Sequence, residues 1–147
     1  MVQEAGRLLL VNAWPGGKSD LWCAPGGGVV RGTSLPDNLI REVHEETGLT
    51  VAVGAPCLVN EFHDPGGGFH QVEIFFRCRV EGATQTPIGW RDPEGVVDRV
   101  RWVDAAAFAT LRVKPDALGR VAWPDAGSGA VAQRQGAAYD PLELLQR

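Results

Sequence analysis

Cysteine is scarce in this chain, and the little present is scattered. Cys23, Cys57 and Cys78 are odd in number and share no C-x-x-C spacing. That pattern argues against a zinc ribbon and against a disulfide framework. Reduced thiols in a cytoplasmic protein are the simplest reading. Long apolar runs are missing too: the aliphatic run Leu8 to Val11 is far too short to span a membrane. The N-terminus lacks the charged-then-apolar pattern of a signal peptide. Positive charge is not in excess. The formal net charge is −4 and no basic stripe is visible, which speaks against a general nucleic-acid surface. A small phosphorylated ligand remains open, because a metal ion can mediate its binding.

What is present suits one domain. The 147 residues, 44% hydrophobic and 22% charged, can bury a real core. "RLLLV" at 7–11 predicts a buried strand, and "LWCAP" a short one ending at a glycine triplet. Ser34 is a good N-cap, Pro36 fits the first turn and Gly48 fits a C′ cap, so a helix is expected over Leu35 to Thr47. "TVAVGAPCLVNEFHD", "FHQVEIFFRCRVEG" and "VVDRVRWVD" follow as strands, with a turn at Asp64-Pro65-Gly66-Gly67-Gly68 and a loop at 84–95. Asp104 should cap a short helix, and another helical piece should follow Pro115. Residues 124–138 are expected to form a loose connection, and 139–147 a short helical segment. Only six residues precede the first strand. Either an edge strand is missing or the start lies further upstream.

The chemistry concentrates in "GGGVVRGTSLPDNLIREVHEETGL". On a wheel of about 100° per residue, Leu35, Leu39, Ile40 and Val43 form one arc, expected to pack on the sheet. Glu42, Glu45 and Glu46 form a neighbouring arc, with Glu42 one turn from the other two. Like charges at that spacing destabilise a bare helix, and the C-terminal half of a helix disfavours anions. A hard divalent cation would compensate, since carboxylate oxygens suit magnesium or manganese. A solvated acidic face, partly balanced by Arg41, is the other reading.

The same segment resembles the signature of the Nudix (MutT-type) hydrolases, G-x5-E-x7-R-E-U-x-E-E-x-G-U, where U is a bulky aliphatic residue. Gly27 takes its first position, and Arg41, Glu42, Val43, Glu45, Glu46, Gly48 and Leu49 take the later ones. "LWCAPGGG" is similar to the family's entry into that loop. Thr33 departs from the pattern by replacing its first Glu, and Val30 replaces a frequent acid. The resemblance implies an α/β/α sandwich around a mixed β-sheet. It implies hydrolysis of a nucleoside diphosphate linked to another group, with Mg2+ (or Mn2+) held by Glu42, Glu45 and Glu46. One of these glutamates would also orient or deprotonate water. Arg41 would orient a neighbouring Glu, and Gly26, Gly27 and Gly28 would let the substrate approach the backbone.

In such enzymes a further acid often comes from a loop. Glu94 is the first candidate, then Asp92 and Glu61. Thr33 leaves the ligands in place but predicts a less constrained Arg41. His44, His63 and His70 are expected to be structural or exposed. A nucleotide sugar, an ADP-ribose-like compound or a nucleoside triphosphate would suit as substrate. Pro65 lies where some ADP-ribose-cleaving relatives carry a proline. A homodimer is compatible with the resemblance. The alternative is a nucleotide-binding module of the same fold with little catalysis, motivated by Thr33.

Overall fold

The computed structural model describes residues 1–127 and a strand at 138–144. Strand β1 (Gln3–Glu4) turns at once into β2 (Arg7–Asn12). Strand β3 (Leu21–Cys23) precedes helix α1 (Leu35–Thr47). Two long strands follow, β4 (Val51–Asp64) and β5 (Phe69–Val80), joined by the expected tight turn. Then come β6 (Val100–Val103), α2 (Ala105–Phe108), β7 (Arg112–Lys114), α3 (Ala117–Ala122), a 3-10 turn (Pro124–Gly127) and β8 (Ala138–Leu144).

The strands fall into two ladders. β2 pairs antiparallel with β1, β3 and β6, and β7 joins β3 in parallel. β4 pairs antiparallel with β5 and in parallel with β8. A bridge between Val2 and Cys78 connects the two. The first six residues thus supply the short edge strand that the sequence left in doubt.

Side-chain alternation on β2 explains the layering. Leu8, Leu9 and Leu10 are all fully buried, but successive residues point to opposite faces. Leu8 and Leu10 join Leu58, Val103, Leu118 and Val121, which puts α3 on one side. Leu9 joins Val2, Val43, Leu49 and Val51, which puts α1 on the other. Burying each of these leucines contributes roughly 1.5–3 kcal/mol. The result is the α/β/α arrangement around curled, mixed β-structure.

Helix α1 has the expected bounds for the expected reasons. The Ser34 side chain accepts from the Asp37 N–H, and Gly48 closes the helix in the left-handed region at φ 71°. Its buried face, however, is not the predicted one. Asn38, Glu42, Val43 and Thr47 are buried, whereas Leu35 and Ile40 are exposed. Counting only apolar residues displaced the face, because Asn38 and Glu42 are buried through polar bonds. The C-terminal expectation also needs correction. Residues 138–144 run as a strand beside β4, not as a helix. Pairing with a long strand outweighed the weak helical preference of a segment that contains Pro141. The rest of the proposed 124–138 connection, at 128–137, lies outside the described residues, as does 145–147.

Candidate active site

The C-terminal end of β3 opens into the glycine loop, which folds back over α1. Three helix residues hold that loop. Asn38, itself 3% exposed, donates from Nδ2 to the Gly28 carbonyl (3.1 Å), and its Oδ1 accepts from the Val30 N–H (3.1 Å). Glu46 Oε2 accepts from the Gly26 N–H at 2.9 Å. Glu42 packs so close to Gly27 that a Cβ built there would lie 2.5 Å from Glu42 Oε2. A side chain at Gly27 would therefore displace the Glu42 carboxylate; the constraint there is contact, not backbone angle.

Arg41 spans the acidic face as a fork. Its Nη2 donates to Glu42 Oε1 (2.6 Å) and to Asn38 Oδ1 (3.0 Å), and its Nη1 donates to Glu45 Oε2 (2.6 Å). The expectation that Thr33 leaves Arg41 loosely held is corrected by this geometry. Asn38 supplies a third acceptor, and Thr33 is tied by its own N–H to the Val30 carbonyl (3.1 Å). The helix wheel brought the three carboxylates together, but here two share one partner and the third has another. Arg41 holds Glu42 and Glu45, while Gly26 holds Glu46. Among the described residues no three His, Cys, Asp or Glu side chains form a ready-made metal cluster.

Charge accumulates at Glu46. Burial first, then the charges of Glu42, Asp92 and Glu94, push its carboxyl from the ordinary 4.5 up to about 8; the Gly26 N–H acts against the rise. Cys23, at the end of β3, is likewise pushed up to about 12 by burial and by the charges of Glu46 and Glu73. The sign of the consequence follows directly. Glu46 keeps its proton in the fold up to about pH 8 but loses it above about pH 4.5 when unfolded. Between those values the native state binds more protons, so this group's contribution to stability falls as pH rises. Melting curves in divalent-free buffer should show stability declining from about pH 5 to pH 8, with Glu46→Gln flattening the decline. Identical slopes in both proteins would contradict the assignment.

The candidate loop acids take different roles. Asp92 is buried and organises its own loop: Oδ1 accepts from Glu94 N–H (3.0 Å), and Oδ2 accepts from Val96 (2.9 Å) and Val97 N–H (2.8 Å). Glu94 is exposed, but its charge reaches Glu46. Glu46 and Asp92 line one cavity of about 620 Å³, with Trp90 and Arg91 on its wall. Glu61 pairs with His70 at 2.7 Å on the β4–β5 hairpin. Pro65 is exposed in the turn of the same hairpin. His63 packs edge-on to His70 with centroids 5.4 Å apart, and His44 packs edge-on to Trp90 at 5.0 Å.

Sequence reasoning missed Asn38 altogether and missed how Trp90, a candidate only for stacking on a base, is tied to α1. Asn38 precedes Glu42 by one helical turn, which was the available signal. Trp90 donates from Nε1 to the Glu45 carbonyl (3.0 Å), a link across the chain that no local pattern encodes.

Gly27→Ala gives a direct test of this packing. The methyl group would displace the Glu42 carboxylate and with it the Arg41 fork. A shift of about 1 Å at a catalytic group can cost on the order of 10²-fold in rate. Turnover should fall by about that factor, while the melting temperature moves by only a few degrees, because flexible carboxylate atoms meet the methyl first. Unchanged turnover would mean that Glu42 is free to move without consequence.

Known proteins place this geometry in a class. The family model of the NUDIX domain matches residues 1–123. The chain therefore belongs to the Nudix family, whose members are pyrophosphohydrolases. A MutT-like protein from Streptomyces ambofaciens is 31% identical over 111 residues, covering 71% of this chain and 68% of that protein. A NUDIX hydrolase from Nitrosomonas europaea has a similar structure, with a TM-score of 0.63 and 20% identity, over 85% of this chain and 84% of that one. An ADP-ribose pyrophosphatase from Streptococcus suis has a TM-score of 0.61 and 19% identity, over 95% of this chain and 93% of that one.

Proposed function

We propose that this enzyme hydrolyses the diphosphate linkage of a small nucleoside diphosphate derivative in a magnesium-dependent reaction. The observation that carries this reading is the packed junction of loop and helix. There Gly27 meets Glu42, Gly26 bonds Glu46, and Arg41 aligns Glu42 with Glu45. Glu42, Glu45 and Glu46 are hard oxygen donors that suit magnesium, and manganese equally. Burial, and after it the charges of Glu42, Asp92 and Glu94, raise the Glu46 carboxyl, and a cation beside it would favour the ionised form. When bound, the metal neutralises charge on the diphosphate and makes an attached water more acidic.

The protein's own groups do the rest. Arg41 orients two carboxylates. Glu46, bonded to the Gly26 N–H at the mouth of the glycine loop, is placed to orient or deprotonate a water. Glu94 is a second acid within electrostatic reach of Glu46. The bare backbone of Gly26, Gly27 and Gly28 leaves room for phosphate oxygens. Substrates of the nucleotide-sugar or ADP-ribose type fit this reading, since one protein of the same fold is an ADP-ribose pyrophosphatase. Nucleoside triphosphates are the second set to assay.

The test is a panel of nucleotide sugars, ADP-ribose and nucleoside triphosphates, with magnesium, manganese or chelator. Release of a nucleoside monophosphate that stops on chelation is the expected result. No turnover of any member with either metal would overturn the reading.

A further inference from the structure

Asn12 stands where the β2–β6 ladder ends. That ladder runs from Leu8 opposite Val103 to Val11 opposite Val100. One residue further on, Asn12 donates its backbone N–H to the Arg99 carbonyl at 3.2 Å. From there the side chain takes over the pairing. Oδ1 accepts from the N–H groups of Asp98 (3.0 Å) and Arg99 (2.8 Å). Nδ2 donates to the carbonyls of Trp14 (2.8 Å) and Val96 (3.1 Å). These partners fix which end of the amide is oxygen, and they use two acceptor and two donor positions on one side chain. The residue is 1% exposed, at the close of a strand that is apolar from Leu8 to Val11.

The segment held in this way carries the loop acids. From inside the loop, Asp92 accepts from the N–H groups of Glu94, Val96 and Val97. Val96 is thus held twice, by its N–H to Asp92 and by its carbonyl to Asn12. Gly16 adds an outer bond, from its N–H to Asp98 Oδ2 at 2.7 Å. Near the start of the loop, Trp90 is bonded to the Glu45 carbonyl. Asp92, Gly95, Val97 and Asp98 line the cavity that Glu46 shares, and Glu94 lies in the chain between the first two. The loop is therefore supported from α1 at one end and from β2 at the other.

We propose that Asn12 is a positioning residue for hydrolysis: from the end of β2 it locks the 92–97 loop, and so sets where the Glu94 carboxylate stands relative to Glu46. The proposal rests on the hydrolase reading with Glu94 as the second acid. Asn12 itself meets no substrate. Asparagine suits the task by its chemistry. Ionised aspartate brings no donor, serine brings one, and glutamine carries the same groups one methylene further out.

The test is a double-mutant cycle in the full chain. Asn12→Ala removes the side-chain bonds and should lower kcat by about 10–100-fold, because a displaced catalytic group loses rate steeply. KM should stay within about threefold, since no substrate contact is lost. A merely structural loss would lower kcat by the same factor whether or not Glu94 is present. Acting through Glu94, the substitution should instead change kcat by less than about twofold in a Glu94→Gln background. Equal effects in the two backgrounds, full activity in Asn12→Ala, or full activity in Glu94→Gln would each overturn the proposal. Amide hydrogen exchange of wild type keeps the test independent of how well Asn12→Ala folds. The N–H groups of Val96, Val97, Asp98 and Arg99 should exchange as one set, at least about 100-fold slower than an open loop. Exchange at the open-loop rate would overturn the lock whatever the kinetics show. No turnover of any substrate by wild type would instead overturn the hydrolase reading, and the exchange rates would still decide whether the loop is locked.

Discussion

Glutamine in place of Glu46 should lower kcat for diphosphate hydrolysis by about 10²–10⁴-fold, the range for removing a positioned acid–base group. The substitution is nearly isosteric. The amide oxygen can still accept from the Gly26 N–H, so the loop should stay on the helix. What disappears is the capacity to carry negative charge and to exchange a proton near neutrality. The fold should not suffer. At pH 8 without divalent ions, the variant should melt no lower than wild type, because it removes a half-buried acid that burial and three neighbouring acids disfavour. Steady-state kinetics and melting curves on the same preparation check both halves. Glu45→Gln should also lose activity, but it removes the charge that Arg41 pairs with there, so its melting temperature should drop slightly. Full activity in Glu46→Gln would remove this residue from the chemistry.

The largest stability effect should come from Gly48→Ala. Gly48 sits at φ 71°, where a side chain costs about 1–2 kcal/mol. A Cβ there would also lie 2.7 Å from Pro87 Cδ and 2.8 Å from Trp90 Cδ2. Overpacking of this kind typically adds about 1–3 kcal/mol. A total loss of about 2–5 kcal/mol is expected, read by urea denaturation. Activity should fall as well. Moving Trp90 breaks its bond to the Glu45 carbonyl and releases the loop that carries Asp92 and Glu94. A variant as stable as wild type would mean that the Trp90 loop can shift at little cost.

Helix α1 was legible to the residue because its ends are written locally, in Ser34 and Gly48. Strands β2, β4 and β5 were legible from their apolar content. The buried face of α1 was not, since Asn38 and Glu42 are buried for reasons that lie in the glycine loop, distant in sequence. β7 and β8 were missed because each takes its conformation from a parallel partner far along the chain. In the candidate site, the glutamates and the glycine triplet were readable from spacing. The tethering of those glutamates was not, because it depends on where Arg41 places its donors and on the Gly26 N–H. Glu61 was ranked as a candidate acid from the family resemblance, and its pairing with His70 across the hairpin was not legible from local pattern.

Asn38 changes how the junction of loop and helix responds to ionic strength. Its bonds to Gly28 and Val30 join neutral groups and start from a buried side chain, so dissolved ions have little to screen. The Arg41 pairs involve full charges, and the Arg41 side chain is 37% exposed. Concentrated salt should therefore weaken the fork while the glycine loop keeps its seat. The neutral Asn38 bonds therefore answer to the medium less than the charged face of the same helix does.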